Sequence, residues 1–254
     1  MLKNAILALA FAMASASVVN AAPRTESWTG PYVGLNAGGS FSNDGEAKTV
    51  GTPAFRTLIP TLAPAKLKTD SSGFIGGAQV GYNVRSGSIV YGVEADINYL
   101  GSKKSDSFTS TATVLGTTLT TSAAQKIDYL GTLRLRAGVL ATDRLLVYAT
   151  GGLAFGGVKD SASVSANAAP STLFWRGSSS STRSGYALGG GVEYSLNERT
   201  SLKGEYLYYD LGSKSTAALG SPGVRGIAAL NGIDYVQRNS ADGSILRVGV
   251  NYRF

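Results

Sequence analysis

The sequence predicts an all-β fold, an eight-stranded, antiparallel, up-and-down transmembrane β-barrel, and three observations carry that expectation. Eight segments alternate apolar and polar residues with the period of two that gives a strand one greasy and one polar face. Their connections alternate strictly between long and short. Aromatic residues gather toward both ends of the apolar faces, leaving a band of Val, Leu, Ala and Gly between them, as the two interfaces of a bilayer select.

The 254-residue chain opens with Lys3, the apolar run AILALAFAMA from Ala5 to Ala14, and small residues ending at Ala21-Ala22. That order reads as a secretory signal peptide over 1–22, removed from the mature protein. Its apolar run is about half of the roughly 20 residues that a spanning helix needs, and no later stretch is long enough either. Residues 23–254 then fit a single barrel domain.

In the first strand, Trp28 to Phe41, the residues Val33, Leu35, Ala37 and Phe41 oppose Asn36, Gly38 and Ser40. A long connection at about 42–72 follows, broken by Pro53, Pro60 and Pro64, which cannot continue a ladder. The second strand, Gly73 to Arg85, sets Phe74, Ala78, Val80, Tyr82 and Val84 against Gln79, Asn83 and Arg85. Ser86-Gly87-Ser88 turns tightly into the third, Ile89 to Tyr99, whose polar face carries Glu94, Asp96 and Asn98. After a Ser/Thr-rich loop at about 100–125, the fourth strand runs from Lys126 to about Val139. There Ile127, Tyr129, Leu133, Leu135, Ala137 and Val139 oppose Asp128, Thr132, Arg134 and Arg136.

A short turn through Thr142, Asp143 and Arg144 leads to the fifth strand, Leu145 to Val158, which is less regular because Leu146, Tyr148 and Ala154 lie on its polar face. The loop expected at 159–184 contains the low-complexity run Ser178 to Thr182. In the sixth strand, Gly185 to Leu196, the outward set Tyr186, Leu188, Val192 and Tyr194 opposes Ala187, Glu193 and Ser195. Asn197 to Thr200 turn into the seventh, Ser201 to Leu211, with Lys203, Glu205 and Tyr209 on the polar side. A fourth loop at about 212–243 precedes the last strand, Gly243 to Phe254 (GSILRVGVNYRF). Long connections after the odd strands and short ones after the even strands match the external loops and periplasmic turns of outer-membrane barrels. Backbone groups in hydrocarbon must pair internally, so the first strand should close against the last.

The polar parity defines a lumen holding Glu94, Asp96, Arg134, Arg136, Glu193, Lys203, Glu205 and Arg247. An eight-stranded barrel is only wide enough for side chains to fill it, so these eight read as a charge-paired plug, with an ion-conducting constriction as the alternative. The chain has no histidine and no cysteine. That removes His-dependent triads and dyads, thiol chemistry and most transition-metal sites, so no catalytic or metal residues are expected and the protein is read as a non-enzyme. Any haem iron would have to be held by tyrosine or by no axial ligand. Phe174-Trp175-Arg176 is the one loop constellation suited to a planar anionic ligand, and its alternative is an interfacial anchor.

Lys and Arg exceed Asp and Glu by seven but are scattered, which argues against nucleic acid. Excess positive charge on an exported barrel suits outer-membrane lipids and lipopolysaccharide. Nothing in the pattern specifies an oligomer.

The stretches WTGPYVGLNAG, GGAQVGYN, LGTLRLRAGVLATDRLLVYATGGLAFG, GGGVEYSLN, SLKGEYLYYDLG and RVGVNYRF, in that order, resemble the small outer-membrane barrel proteins of alphaproteobacteria that include immunogenic surface antigens and haemin-binding proteins. The resemblance covers nearly every strand and none of the long loops. It implies residence in the outer membrane, porin-like behaviour in some members and surface haemin binding in others, and it transfers no binding residue. Tyr252 and Phe254 resemble the terminal aromatic assembly signal of such barrels, which implies the barrel assembly machinery as a partner. The expected functions, in order, are a structural surface barrel with little or no pore, a narrow porin for ions or small solutes, and a haemin-binding surface protein.

Overall fold

The computed structural model describes residues 28–41, 45–49, 66–69, 72–112, 117–166, 174–226 and 235–254. The expected signal peptide, 1–22, and the three prolines of the first long connection lie outside the described residues. Among the described residues, no helix is long and apolar enough to cross a membrane.

Eight antiparallel staves close into a ring. They are β1 (Gly30–Phe41), β4 (Ser72–Ser86), β5 (Ile89–Ala112), β6 (Thr117–Thr142), β7 (Leu145–Ala166), β8 (Phe174–Ser195), β9 (Thr200–Gly220) and β10 (Tyr235–Arg253). Two short strands, β2 (Gly45–Thr49) and β3 (Lys66–Thr69), form a hairpin that pairs with the upper part of β10 through Gln237 and Arg238. The ring closes where first against last was expected. Val33 lies opposite Tyr252, Leu35 opposite Val250 and Phe41 opposite Ser244. Closure leaves no unpaired edge through the wall that must lie in hydrocarbon.

The outward parity is apolar around the whole ring, and Leu35, Leu135 and Val248 are 70%, 71% and 66% exposed. An aqueous surface does not hold a continuous belt of this kind, whereas lipid requires one. Exposed aromatics border it. Phe41, Phe74, Tyr99, Tyr186 and Tyr206 stand at the long-connection end, and Tyr82, Tyr91, Tyr194, Tyr252 and Phe254 at the short-turn end. The tight turn between β4 and β5 needs Gly87, whose φ of 62° suits a residue without a Cβ.

The long connections differ from expectation. β6 has 26 residues and β5 has 24, where a tilted membrane strand needs about 9–11. The strands therefore run on through much of the segments expected as loops at 100–125, 159–184 and 212–243. Above the hydrocarbon the outer face no longer has to be apolar, so the alternation disappears from the sequence while the hydrogen-bond ladder continues. Ser/Thr-rich segments then resemble loops, although threonine packs well in strands.

Register irregularities mark this transition; one lies between Tyr99 and Ser102 of β5, and two others are bulges that reverse a strand's parity. One extra residue at Asp128 in β6 shifts the register against β7, and one near Gly212 in β9, at φ 73°, shifts it against β10. Each reverses the parity of the strand above it. Ile127, expected outward with Tyr129 and Leu133, is therefore buried, and Asp128, expected in the lumen, sits on the outer wall beside Lys126 and Lys159.

The belt can be tested with one substitution. Leu135→Arg, at mid-height on the lipid face, should destabilise the barrel in lipid vesicles by about 2–4 kcal/mol in urea unfolding. Ser161→Arg, on the wall above the belt, should cost less than about 1 kcal/mol. Equal costs would place the bilayer elsewhere.

Candidate functional site

The interior is layered. At the short-turn end, Trp28, Val90, Leu146 and Tyr148 form an apolar floor with Leu140 packed against it. The irregular apolar residues of the fifth expected strand thus have a place, since Leu146 and Tyr148 help to build the floor and Ala154 belongs to the layer above the ions. Trp28 is fixed there by its indole N–H, which donates to the Asp143 carbonyl at 3.0 Å, and by the Arg253 guanidinium 4.5 Å from its ring centroid.

Above the floor lies an ionic layer that contains all eight charged residues expected in the lumen. Strand register sets two of the contacts directly, because Glu94 lies opposite Arg134 and Glu205 opposite Arg247; Glu193 lies opposite Lys203 but pairs with Arg136 instead. Others cross the ring. Lys203 Nζ on β9 reaches both oxygens of Glu94 on β5 at 3.0 Å, and Arg247 on β10 reaches Asp96 on β5 at 3.1 Å. Arg134 holds Glu94 at 2.5 Å, Asp96 at 2.8 Å and Glu205 at 3.3 Å. Arg136 holds Glu193 at 2.7 Å, with its guanidinium 4.1 Å from the Tyr148 ring centroid.

Four carboxylates thus face four cations, and the layer is neutral. Every one of these side chains is 3% exposed or less, so the layer lies away from the solvent-accessible surface. Charges removed from water are tolerated only when paired and hydrogen-bonded, and neutral neighbours complete the bonding. Tyr32 donates to Glu94 at 2.7 Å, Thr132 to Asp96 at 2.7 Å, Tyr148 to Glu205 at 2.9 Å and Ser201 to Glu193 at 2.5 Å. Tyr32 shares its parity with Asn36, and extending that parity by two pairs of residues would have found it. Its ring also leaves no room for a Cβ at Gly81, which accounts for a glycine inside that strand.

A second apolar layer covers the ions from above, built from Ile75, Leu100, Ile127, Leu130, Leu207, Tyr209, Leu211 and Ile245 with smaller residues. Higher still, inside the extension, the Asp160 carboxylate pairs with Arg183 and accepts from Gln125 at 2.9 Å and Asn239 at 3.3 Å. Near the top, Val164, Trp175 and Ala218 are buried, as is Val224 of the short helix α1 (Pro222–Arg225), which Ser221 caps. Side chains fill the barrel well above the membrane, a feature the loop assignment had hidden.

The three residues proposed as a planar-ligand grip do not share a surface. They begin β8, so strand alternation turns Trp175 inward at 4% exposure, while Phe174 and Arg176 face outward with the guanidinium 5.9 Å from the Phe174 ring. Tyr252 and Phe254 lie on the outer wall at the short-turn end, edge to face at 5.4 Å.

Removing one ion tests the layer. Arg247→Met leaves Glu205 and Asp96 short of a partner and should cost about 3–5 kcal/mol in urea unfolding from vesicles. Adding Glu205→Met should recover more than half of that loss. A cost below about 1 kcal/mol would mean that water reaches these carboxylates.

Residues 5–254 match the family model described as outer membrane protein beta-barrel domain. Over 243 residues the chain is 34% identical to the 31 kDa outer-membrane immunogenic protein of Brucella melitensis, covering 94% of this chain and 89% of that one. It is 33% identical over 142 residues to the 22 kDa outer membrane protein of Rhizobium leguminosarum bv. viciae, covering 56% of this chain and 54% of that one. OprG from Pseudomonas aeruginosa superposes with a TM-score of 0.54 at 14% identity, covering 91% of this chain and 99% of that one, a likeness of fold alone. The lipid-facing belt and these relatives place the protein in the outer membrane, and the chain belongs to the outer membrane protein beta-barrel family.

Proposed function

We propose that this protein is a structural component of the outer-membrane surface, a closed barrel that carries an extracellular extension and conducts neither ions nor solutes. The observation that supports this reading most strongly is the sealed ionic layer. Its four carboxylates and four cations neutralise one another between an apolar floor and an apolar lid. A permeating ion would have to pass two greasy layers and break pairs that span the ring. The same pairing makes the carboxylates unsuited to acid or base chemistry, because each is held as an acceptor by cations and hydroxyls without a substrate cleft beside it. On this reading the strand extension, raised on rigid staves and filled with side chains, is what the barrel displays. Its relatives in Brucella are outer-membrane immunogenic proteins of 31 kDa and 25 kDa.

Reconstitution into planar bilayers tests the closed lumen. Protein that is folded, as judged by anomalous gel mobility lost on heating, should leave the bilayer silent across a range of voltage and salt. Discrete, salt-dependent steps would replace this reading with a narrow porin.

A further inference from the structure

The Asp128 bulge has moved a carboxylate from the lumen to the outer wall, where Lys126 Nζ reaches it at 3.0 Å and Lys159 Nζ at 2.7 Å. One acid therefore serves two lysines. The lysines also lie directly opposite each other, Lys126 across from Lys159. Like charges at directly opposed positions destabilise a sheet unless something neutralises them. Beside them is a cleft of about 340 Å³ lined by both lysines, by Ser161, Ser178 and Ser180, and by Asp160, whose carboxylate Arg183 already neutralises. Two ammonium groups and a row of hydroxyls are the chemistry of an anion site, and they leave an excess of positive charge after Asp128 is counted.

Height identifies the anion. Tyr129 is level with Gly157, and Lys159 stands two residues higher on the same stave. At about 3.3 Å per residue and a tilt near 40°, that is roughly 5 Å above the outer aromatic level. A bilayer's headgroup zone occupies about 5–7 Å beyond the hydrocarbon on each side. The lysines therefore project outward at the depth of lipid phosphates. We propose that Lys126 and Lys159, with the serine-lined cleft beside them, bind a phosphate of the lipopolysaccharide lipid anchor in the outer leaflet, and that Asp128 moderates the affinity. The inference rests on placement in the outer membrane and is independent of whether the lumen conducts.

The test uses the full mature barrel, folded in a zwitterionic detergent and titrated with bis-phosphorylated lipid A. The Lys126→Gln/Lys159→Gln double variant should bind about 25-fold more weakly, close to fivefold for each lysine at a membrane surface. Asp128→Asn should bind more tightly by about fivefold, since it removes the competing carboxylate. A cluster that served only to staple β6 to β7 would lose stability in Asp128→Asn without any gain in lipid affinity. Inorganic phosphate at the same concentration should displace no lipid A, and phosphatidylcholine should not compete. Unchanged affinity in the double variant, no gain in Asp128→Asn, or displacement by inorganic phosphate would each overturn the proposal. Retained heat-dependent gel mobility verifies folding in both variants.

Discussion

Closing eight strands into a ring leaves an interior about as wide as the side chains that line it, and the rest of this structure follows from how that space is filled. Alternation forces every second residue inward, and the lipid belt requires the opposite parity to be apolar. The inner parity is then free to be polar, but without solvent. Acids and bases can occupy it only as a neutral, mutually bonded set, which is what Glu94, Asp96, Glu193 and Glu205 form with Arg134, Arg136, Lys203 and Arg247. Several of these pairs cross the ring, so the ions act as ties between distant staves as well as filler. Apolar layers lie above and below them.

The stave pattern was legible because membrane strands obey two constraints at once, an apolar outside and a narrow inside. Where both hold, from Val33 to Phe41 or Leu246 to Phe254, parity assigns each face correctly. Where the outer constraint lapses, legibility lapses with it. The extension of β5 through β10 keeps its strands paired except where the β8–β9 register is interrupted between Arg176 and Tyr186, and it keeps an alternating interior that includes Asp160, Val164 and Trp175, yet its polar outer face removes the contrast that the eye follows along a sequence. The bulges at Asp128 and Gly212 were also beyond a strict count of two, and each misplaces the residues above it; Ile127 and Asp128 are the clearest cases.

The site residues divide in the same way. The charged members of the lumen could be read because a charge on a well-patterned strand is conspicuous. Tyr148 and the floor could not, because an aromatic on the polar parity looks like an irregularity until its partner is known. Tyr148 contributes its ring to Arg136 and its hydroxyl to Glu205 at once, and only the closed ring brings those two together. Phe174-Trp175-Arg176 are neighbours in sequence but not on one surface, because strand geometry turns Trp175 inward and leaves Phe174 and Arg176 outside.

The central claim is that the ionic layer is sealed from water on both sides. Solvent exchange of the arginine side-chain Nε–H protons, followed by NMR on the barrel in lipid nanodiscs, measures this directly. The account predicts that the Nε–H protons of Arg134 and Arg247 exchange orders of magnitude more slowly than that of exposed Arg144. Exchange at the rate of Arg144 would mean that water threads the lumen, and would contradict it.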